Sequence, residues 1–235
     1  MKIALIGYGK MGKTIESFAL QRGHSVTVRI DKDNTNDIYS DEFRTSDIAI
    51  EFSVPETAFG NVTTALNLGV PVVCGTTGWF DKLDEVKKLC EKQKLAFIYS
   101  SNYSLGVNIF FYINRKLAEV MKNYPEYGVS IEEIHHIHKK DAPSGTAVTL
   151  AEDILNQVNL EKWSLEREEN SLHISAVREG EVPGTHTVAY ESSIDSITIR
   201  HEAKSRDGFA LGAVVAAEFA LGKQGFYTMK EVLGL

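Results

Sequence analysis

Short apolar runs alternate with helix-like segments along residues 2–100, and this alternation constrains the fold more than any other feature of the sequence. Apolar residues at helical spacing fill the gaps between the runs. The runs are rich in the β-branched residues typical of strands: KIALI (2–6), SVTVRI (25–30), IAIEFS (48–53), VPVVCG (70–75) and LAFIYS (95–100). Strand–helix alternation of this kind predicts a parallel sheet covered by helices on both faces.

The second half of the chain has a different character. An amphipathic helix is predicted near residues 105–121, and one further helix near residues 147–158. The remaining runs resemble strands: VSIEEIHHIH (129–138), HISAVREG (173–180), THTVAYES (185–192) and SITIRHEAK (196–204). Successive strands without intervening helices predict a mixed or antiparallel sheet, hence a second domain. We expect one domain of residues 1–104, completed by the apolar helix within 207–235, and another of residues 105–206.

Charge and cysteine content limit the partners and the location of the chain. A formal net charge of −7 argues against a nucleic-acid surface or an anionic membrane as partner. No apolar run approaches the roughly 18 residues needed to cross a bilayer. Cys74 and Cys90 lack the spacing of a metal or redox motif, so we expect two reduced thiols in a cytoplasmic protein.

A glycine-rich loop follows the first predicted strand. GYGKMG places Gly7, Gly9 and Gly12 in G-x-G-x-x-G spacing before a helix, and Asp31 ends the next strand. In a dinucleotide site these glycines permit a tight turn, close approach to a pyrophosphate and close helix packing, respectively. The helix N-terminus stabilises the diphosphate, and Asp31 would accept hydrogen bonds from the ribose. The alternative is a plain tight turn with a solvated aspartate.

Two further loops fall at the carboxyl ends of predicted parallel strands, where open α/β sheets bind ligands. CGTTG (74–78) offers backbone donors and small side chains at Gly75, Thr76 and Thr77, and SSNYS (100–104) offers the amide of Asn102. Taken alone, each loop is more simply explained by ordinary turn chemistry.

The stretch EEIHHIHKKDAPSGTA (132–147) concentrates histidine and lysine in an acidic chain. In an extended segment His135 and Lys139 would share one face, and His136 and His138 the other. A zinc site is one interpretation, although adjacent histidines and neighbouring lysines disfavour it. A solvated basic edge strand is the second. The third is a pocket for a carboxylated small molecule, in which the helix start at PSGT supplies free N–H groups and the strand a proton donor.

This stretch also closely resembles the E-(A/L)-H-H-x-x-K-x-D-x-P-S-G-T-A signature of the dihydrodipicolinate reductase family. GYGKMG, EFSVPE, GTTGW, SSNYSLGVN and HEAKSRDGFALGA resemble family segments in the same order, so the resemblance covers essentially the whole chain. It implies a Rossmann-like nucleotide-binding domain, interrupted by an α+β substrate domain whose open sheet builds a homotetramer. The implied reaction is transfer of hydride from NADH or NADPH to 4-hydroxy-tetrahydrodipicolinate, a cyclic dicarboxylate of diaminopimelate and lysine biosynthesis.

The resemblance also implies roles for individual residues and no metal site. His135 matches the catalytic histidine and Lys139 the proton donor. His136 matches a substrate contact, and Gly145 and Thr146 match the backbone site for a substrate carboxylate. The implied cofactor-binding residues are Gly7, Tyr8, Gly9, Lys10, Met11, Gly12, Asp31, Gly75, Thr76, Thr77, Ser100, Ser101, Asn102 and Tyr103.

The chain departs from the family pattern around the cofactor loop. Lys10 stands where arginine is common, the loop is a residue shorter than in many members, and Glu51 replaces the more usual aspartate. The segment between Asp31 and Asp47 is also abbreviated, which bears on adenosine recognition. Because a parallel connection needs about a dozen residues, we expect its helix to be short or missing.

Cofactor choice and assembly follow from the same residues. Asp31 favours a ribose diol, while Arg29 and Lys32 lie near enough in sequence to offset its charge, so we expect NADH to be used well and NADPH to be accepted. The later strands predict a sheet with one uncovered apolar face, which indicates a partner copy. Two alternatives remain: another two-domain NAD(P)-dependent dehydrogenase acting on a small carboxylated substrate, and a non-catalytic nucleotide sensor, against which Lys139 argues.

Overall fold

Two compact units make up the chain in the computed structural model, which describes residues 1–205 and 207–235. Unit 1 comprises residues 1–105 and 207–235, and unit 2 comprises residues 106–206. Within the described ranges, no helix is both long enough and apolar enough to span a bilayer.

The elements follow the chain from unit 1 into unit 2 and back. The first part of unit 1 contains β1 (Lys2–Ile6), α1 (Lys10–Gln21), β2 (Ser25–Ile30), α2 (Asp41–Arg44), β3 (Ile48–Glu51), α3 (Pro55–Asn67), β4 (Val72–Cys74), α4 (Leu83–Gln93) and β5 (Ala96–Tyr99). Next come α5 (Leu105–Met121), β6 (Gly128–His135), α6 (Gly145–Leu155), β7 (Lys162–Ser164), β8 (Ser171–Arg178), β9 (Thr185–Glu191) and β10 (Ser196–Glu202). The chain ends with α7 (Asp207–Ala220), β11 (Gly225–Tyr227) and α8 (Met229–Leu233).

The sheet of unit 1 has six parallel strands in the order β11-β5-β4-β3-β1-β2. Alternate residues of each strand point to opposite faces, so β1 contributes Ile3 and Leu5 to one core and Ala4 and Ile6 to the other. Helices α1 and α7 cover the first face, and α3 and α4 cover the second. The predicted parallel sheet covered on both faces is therefore confirmed.

The short connection between β2 and β3 contains a five-residue 3-10 helix, Thr35–Tyr39, and the four-residue α2. Ser40 begins α2 as its N-cap, because its hydroxyl accepts the N–H of Phe43 at 3.2 Å. Ile38 and Phe43 from this segment are buried against the sheet. The expectation of a short crossover helix is confirmed.

Unit 2 contains a five-stranded sheet in the order β10-β9-β6-β8-β7. The central strand β6 pairs parallel with β8 and antiparallel with β9, so the predicted mixed sheet is confirmed. One face packs against α5 and α6 in a single core, to which the strands contribute Ile131, Leu172, Ile174, Val188 and Tyr190.

The opposite face of that sheet differs from the expectation. Residues that alternate with the core positions are Ser130, Glu132, Ile134, His173, Ser175, Val177, Thr187, Ala189, Thr198 and Arg200. Most of these side chains are polar or small, so the expectation of an uncovered apolar face is wrong. Strand periodicity identified the buried face, and nothing required the other face to be equally apolar.

Candidate active site

The glycine loop between β1 and α1 is held by two close backbone contacts. Gly7 has φ +90°, and a Cβ there would lie 2.1 Å from the carbonyl oxygen of Phe52. A Cβ on Gly12 would lie 2.2 Å from the carbonyl oxygen of Gly7. Gly9 differs, because no atom lies within 4 Å of the corresponding position. Gly7 and Gly12 therefore pack the loop, and Gly9 leaves room for a bound group.

The N-terminus of α1 suits an anion. Gly9 is the N-cap and supplies no side-chain hydrogen bond, and the first turn carries no acidic residue. The first N–H groups of a helix lack partners within it, and the helix dipole favours negative charge there. The open space at Gly9 and these donors together fit the diphosphate of a dinucleotide.

A pocket beside the glycine loop brings together two predicted segments. Its lining is Met11, Phe52, Ser53, Pro55, Gly75, Thr76 and Thr77. Gly75 cannot carry a side chain without displacing the Phe52 ring, because its Cβ would lie 2.2 Å from the ring carbon Cζ. Phe52, Ser53 and Pro55 were not predicted as site residues, although EFSVPE follows a strand whose carboxyl end lies at the ligand-binding edge of the sheet.

Part of the predicted loop at residues 100–103 has a structural role. The hydroxyl of Tyr103 donates to the carbonyl oxygens of Cys74 at 2.8 Å and Ile98 at 3.2 Å, and its side chain is buried. The Ser100 hydroxyl donates to the carbonyl oxygen of Asn102 at 2.7 Å and accepts the N–H of Asn102 at 3.1 Å. Tyr103 therefore links β4 to β5 through its side chain.

Glu51, at the end of β3, is fully buried and takes its hydrogen bonds locally. Its carboxylate accepts from the N–H of Ser53 at 3.2 Å, from the Ser53 hydroxyl, and from the Cys74 thiol at 3.0 Å. Burial and the nearby Glu51 charge raise the pKa of Cys74 well above its ordinary value, so the thiol keeps its proton. This carboxylate fixes the turn after β3 that places Phe52 and Ser53 in the pocket.

Asp31 lies just beyond β2, where its carboxylate accepts the N–H of Lys32 at 2.9 Å. Arg29 does not offset its charge as expected, because the Arg29 guanidinium donates to Glu16 of α1, with Nε at 2.9 Å. The Glu16 carboxylate also accepts the hydroxyl of Tyr8, whose ring lies 5.8 Å from the guanidinium. The hydrogen bond from Arg29 lowers the pKa of Glu16, which stays ionised. Of the two basic residues expected to offset the charge of Asp31, Arg29 is therefore engaged elsewhere.

In unit 2, strand β6 ends at His135, earlier than predicted. The carbonyl oxygen of His136 accepts the N–H of Lys139 at 3.1 Å, so the backbone turns between them. The expected alternation of His135 and Lys139 along one strand face is therefore wrong. The Lys139 ammonium instead lies in the turn, where it donates to both carboxylate oxygens of Asp141 at 2.9 and 2.8 Å.

Behind His135 lies a buried polar cluster that sequence reasoning missed. Glu133 is fully buried, and its Oε2 lies 3.1 Å from Nδ1 of His135. Its Oε1 accepts the N–H of Ser144 at 3.0 Å and the guanidinium of Arg178 at 3.0 Å. Burial alone would raise the pKa of Glu133, but hydrogen bonds from these three partners outweigh it and lower the pKa to about 2. The sequence signals were the strand spacing of Glu133 and His135 and the glutamate that opens the family signature.

His186 of β9 completes this cluster. Its Nε2 lies 3.7 Å from Oε2 of Glu133 and 3.1 Å from the hydroxyl of Ser144. Its ring meets that of His135 edge-on, with centroids 5.0 Å apart. Burial, together with the neighbouring His135, lowers the pKa of His186 to about 4, so the imidazole is neutral near pH 7.

The start of α6 supplies hydrogen-bond donors next to this cluster. Ser144 is the N-cap, and its hydroxyl accepts the N–H of Ala147 at 3.2 Å. Gly145 and Thr146 open the helix, where backbone N–H groups have no acceptor in a preceding turn. A cationic Lys139, these donors and the imidazole of His135 together can bind a carboxylate and move a proton.

Comparisons with known proteins cover both units. Residues 1–103 match the family model described as dihydrodipicolinate reductase, N-terminus, and residues 106–233 match its C-terminus. The 4-hydroxy-tetrahydrodipicolinate reductase of Christiangramia forsetii is 54% identical over 235 residues, covering 99% of this chain and 98% of the relative. The reductase of the same name from Archaeoglobus fulgidus is 40% identical over 201 residues, covering 80% of this chain and 76% of the relative.

The fold resembles that of a solved structure with the same family name. Dihydrodipicolinate reductase from Paenisporosarcina sp. TG-14, with dipicolinate bound, superposes with a TM-score of 0.77 at 22% identity, covering 97% of each chain. This likeness confirms the predicted combination of a Rossmann-like parallel sheet with a second, mixed sheet.

Proposed function

The chain belongs to the dihydrodipicolinate reductase family, and from this premise we propose that it reduces 4-hydroxy-tetrahydrodipicolinate to tetrahydrodipicolinate with NADH or NADPH. The reaction serves diaminopimelate and lysine biosynthesis. The observation that carries the proposal is the 54% identity to a relative of that name over nearly the whole of both chains. The stretch from Glu132 to Ala147 supports it, since it keeps the signature histidine, lysine and helix start.

The dinucleotide belongs to unit 1. The open position at Gly9 and the first N–H groups of α1 would hold the diphosphate, and Asp31 would accept from the adenosine ribose. The pocket beside the loop, which includes Met11, Gly75 and Thr77, would receive the nicotinamide. When bound, the cofactor supplies a hydride, and its addition to a conjugated ring leaves an electron-rich atom that must take up a proton.

The substrate belongs to unit 2. The Lys139 ammonium neutralises carboxylate charge and carries a transferable proton, which suits it as the general acid. His135 stabilises the developing charge or relays a proton, and His136 contacts the substrate. The N–H groups of Gly145 and Thr146 would bind one substrate carboxylate, as helix N-termini bind anions.

Assembly and location complete the proposal. Unit 1 is the dinucleotide-binding domain, and unit 2 is the substrate-binding and oligomerisation domain of a homotetramer. The half-exposed outer face of the mixed sheet, with Ile134 and Val177 among small and hydroxyl side chains, is the surface for that contact. The two buried thiols, Cys74 and Cys90, favour a reducing cytoplasm. Light scattering that finds a stable monomer at micromolar concentration would contradict the tetramer.

The test of the function is a coupled assay. The condensation product of pyruvate and aspartate semialdehyde is supplied by an aldolase-type synthase, and the loss of NADH absorbance is followed. We expect turnover that depends on the condensation product and not on either precursor alone. No turnover with this product, but turnover with another small carboxylated substrate, would favour a different two-domain NAD(P)-dependent dehydrogenase.

A further inference from the structure

Glu133 is linked, directly or through Arg178, to three parts of the proposed substrate site in unit 2. One carboxylate oxygen lies 3.1 Å from Nδ1 of His135, and the other accepts the N–H of Ser144, the residue that caps α6. Arg178 connects this carboxylate to the turn that carries Lys139, because its guanidinium also donates to the carbonyl oxygen of Asp141 at 2.6 Å. Asp141 in turn holds the Lys139 ammonium. One buried anion thus connects the histidine, the helix start and the turn that carries the lysine.

We infer that Glu133 is the positioning residue of this site: it holds His135 with a proton on Nδ1 and fixes the Ser144 turn. A carboxylate oxygen and an unprotonated ring nitrogen would repel each other at 3.1 Å, so the contact requires a proton on Nδ1. Both atoms are buried, and neither makes a regular hydrogen bond elsewhere. The contact lies within ion-pair distance, and the carboxylate charge orients the ring electrostatically.

A proton on Nδ1 leaves Nε2 of the neutral ring with its lone pair, and this nitrogen faces Gly184. A Cβ at Gly184 would lie 3.0 Å from Nε2, so glycine keeps that side of the ring uncovered. Nε2 can then take up or return a proton while the Glu133 charge stabilises the imidazolium. Glu133 acts through His135 and does not itself contact the substrate.

A metal ion is the rival explanation of the cluster. Glu133, His135 and His186 each offer a ligand atom, and these atoms lie within 4.8 Å of one another. The Arg178 guanidinium, 3.0 Å from the same carboxylate, already neutralises it and opposes a second cation. The geometry favours a preorganised proton site over a metal centre.

The first experiment needs no variant and no activity. In protein with ¹⁵N-labelled histidine, long-range proton–nitrogen correlations report which ring nitrogen carries the proton. We expect His135 to be the Nδ1–H tautomer when neutral, and a neutral Nε2–H ring would overturn the inference. Addition of one equivalent of ZnCl₂ should leave the His135 and His186 signals unchanged, and stoichiometric shifts of both would show that the cluster is a metal site instead.

The second experiment uses Glu133→Gln with Glu126→Gln as its matched control, since Glu126 is an exposed glutamate just before the same strand. Loss of a carboxylate that orients a functional histidine typically lowers activity about 10- to 100-fold. We therefore expect kcat of Glu133→Gln to fall by that factor. The dissociation constant for NADH should stay unchanged, and Glu133→Asp should recover part of the loss. The control should remain within twofold of the parent in every measurement.

The pH profile separates positioning from loss of structure. Removing a negative charge beside an imidazole should move the profile of kcat/KM to lower pH in Glu133→Gln and not in Glu126→Gln. Should Glu133→Gln fail to fold, Arg178→Lys breaks the bridge to Asp141 while keeping the charge, and its kcat should fall severalfold. Parent-like kcat and pH profile in these variants would overturn the inference. It rests on the proposed function, but an inactive parent would refute that function alone, since the tautomer is measured without turnover.

Discussion

The ammonium of Lys139 lies 2.9 and 2.8 Å from the two carboxylate oxygens of Asp141. The Asp141 carboxylate thus binds the Lys139 ammonium in the way that a substrate carboxylate would bind it. The Lys139 hydrogen bond lowers the pKa of Asp141, so this carboxylate is ionised at neutral pH. A substrate carboxylate bound by Lys139, as proposed, would therefore exchange with Asp141.

Lys139→Ala should lower kcat by at least about a hundredfold, the lower range for general acid catalysis. The dissociation constant for NADH should change little, since the cofactor residues belong to unit 1. Lys140→Ala is the control, because Lys140 is exposed and adjacent in sequence. Steady-state kinetics and a fluorescence titration with NADH measure the two effects. Turnover of Lys139→Ala within a few-fold of the parent would remove Lys139 from its proposed role.

Cofactor preference can be shifted at Glu16. In the parent, Asp31 should keep the NADPH preference in kcat/KM below about a hundredfold, some 2.7 kcal/mol. Glu16→Gln removes the charge that holds Arg29, which lies two residues before Asp31 in the sequence. The released guanidinium should raise kcat/KM for NADPH relative to NADH by about threefold to tenfold.

Glu218→Gln provides the control for that change. It releases Arg22, which donates to Glu218 at 2.8 and 2.7 Å, without touching β2 or the glycine loop. The ratio of the two cofactors should match the parent in this variant. An unchanged ratio in Glu16→Gln would mean that Arg29 does not reach the 2′-phosphate.

Gly12→Ala should weaken NADH binding at least about tenfold, because its Cβ would lie 2.2 Å from the backbone carbonyl oxygen of Gly7 and the loop must shift. Gly60→Ala is the matched control, since nothing lies within 4 Å of its Cβ position in the interior of α3. The control should bind NADH normally and gain about 0.5–1 kcal/mol in free energy of unfolding. Fluorescence titration and urea denaturation measure both quantities, and normal binding in Gly12→Ala would contradict the loop assignment.

The pKa of His186 predicts how stability depends on pH. In the folded protein the pKa is about 4, whereas an unfolded histidine titrates near 6.5. Between these values the unfolded state binds more protons, so the free energy of unfolding falls as the pH falls, by up to about 1.4 kcal/mol per pH unit. The charged and titratable groups that act on His186 are Glu133, His135, Lys139 and His201.

His186→Asn should flatten this dependence between pH 6.5 and 5, as measured by urea denaturation. The pKa of Glu133, about 2 when folded, affects stability only below its unfolded value near 4.5, so it does not enter this window. His138→Asn is the control, because His138 is exposed and its ion pair with Glu181 lies at the surface. Equal slopes for parent and His186→Asn would refute the lowered pKa.

Elements with strong periodicity were predictable from the sequence, and very short ones were not. The bounds of β1, β2 and α5 agree with their apolar patterns residue by residue. The three-residue strands β7 and β11 were missed, because three residues show no periodicity and, unlike β4, these strands do not lie within a longer apolar run. The glycine loop was equally predictable, because its G-x-G-x-x-G spacing marks the positions where the backbone requires glycine.

The arrangement behind His135 was beyond sequence reasoning for a different reason. It depends on the register that sets Glu133 opposite His186 in the antiparallel pair of β6 and β9. Sequence periodicity assigns each residue a face but does not say which strands become neighbours. The turn that separates Lys139 from the strand could not be predicted either, because the residues after His135 continue the same polar pattern.

The path of the chain through unit 1 has a consequence for its synthesis. Unit 2 is complete when residue 206 has been translated, but the sheet of unit 1 still lacks β11 and the cover of α7. Until then Ile3, Leu5, Ile48 and Ile50 face no helix from the later segment. A chain released by a ribosome that stalls after unit 2 would therefore expose the part of this apolar sheet face that α7 covers, and such a chain is a substrate for chaperones and proteases.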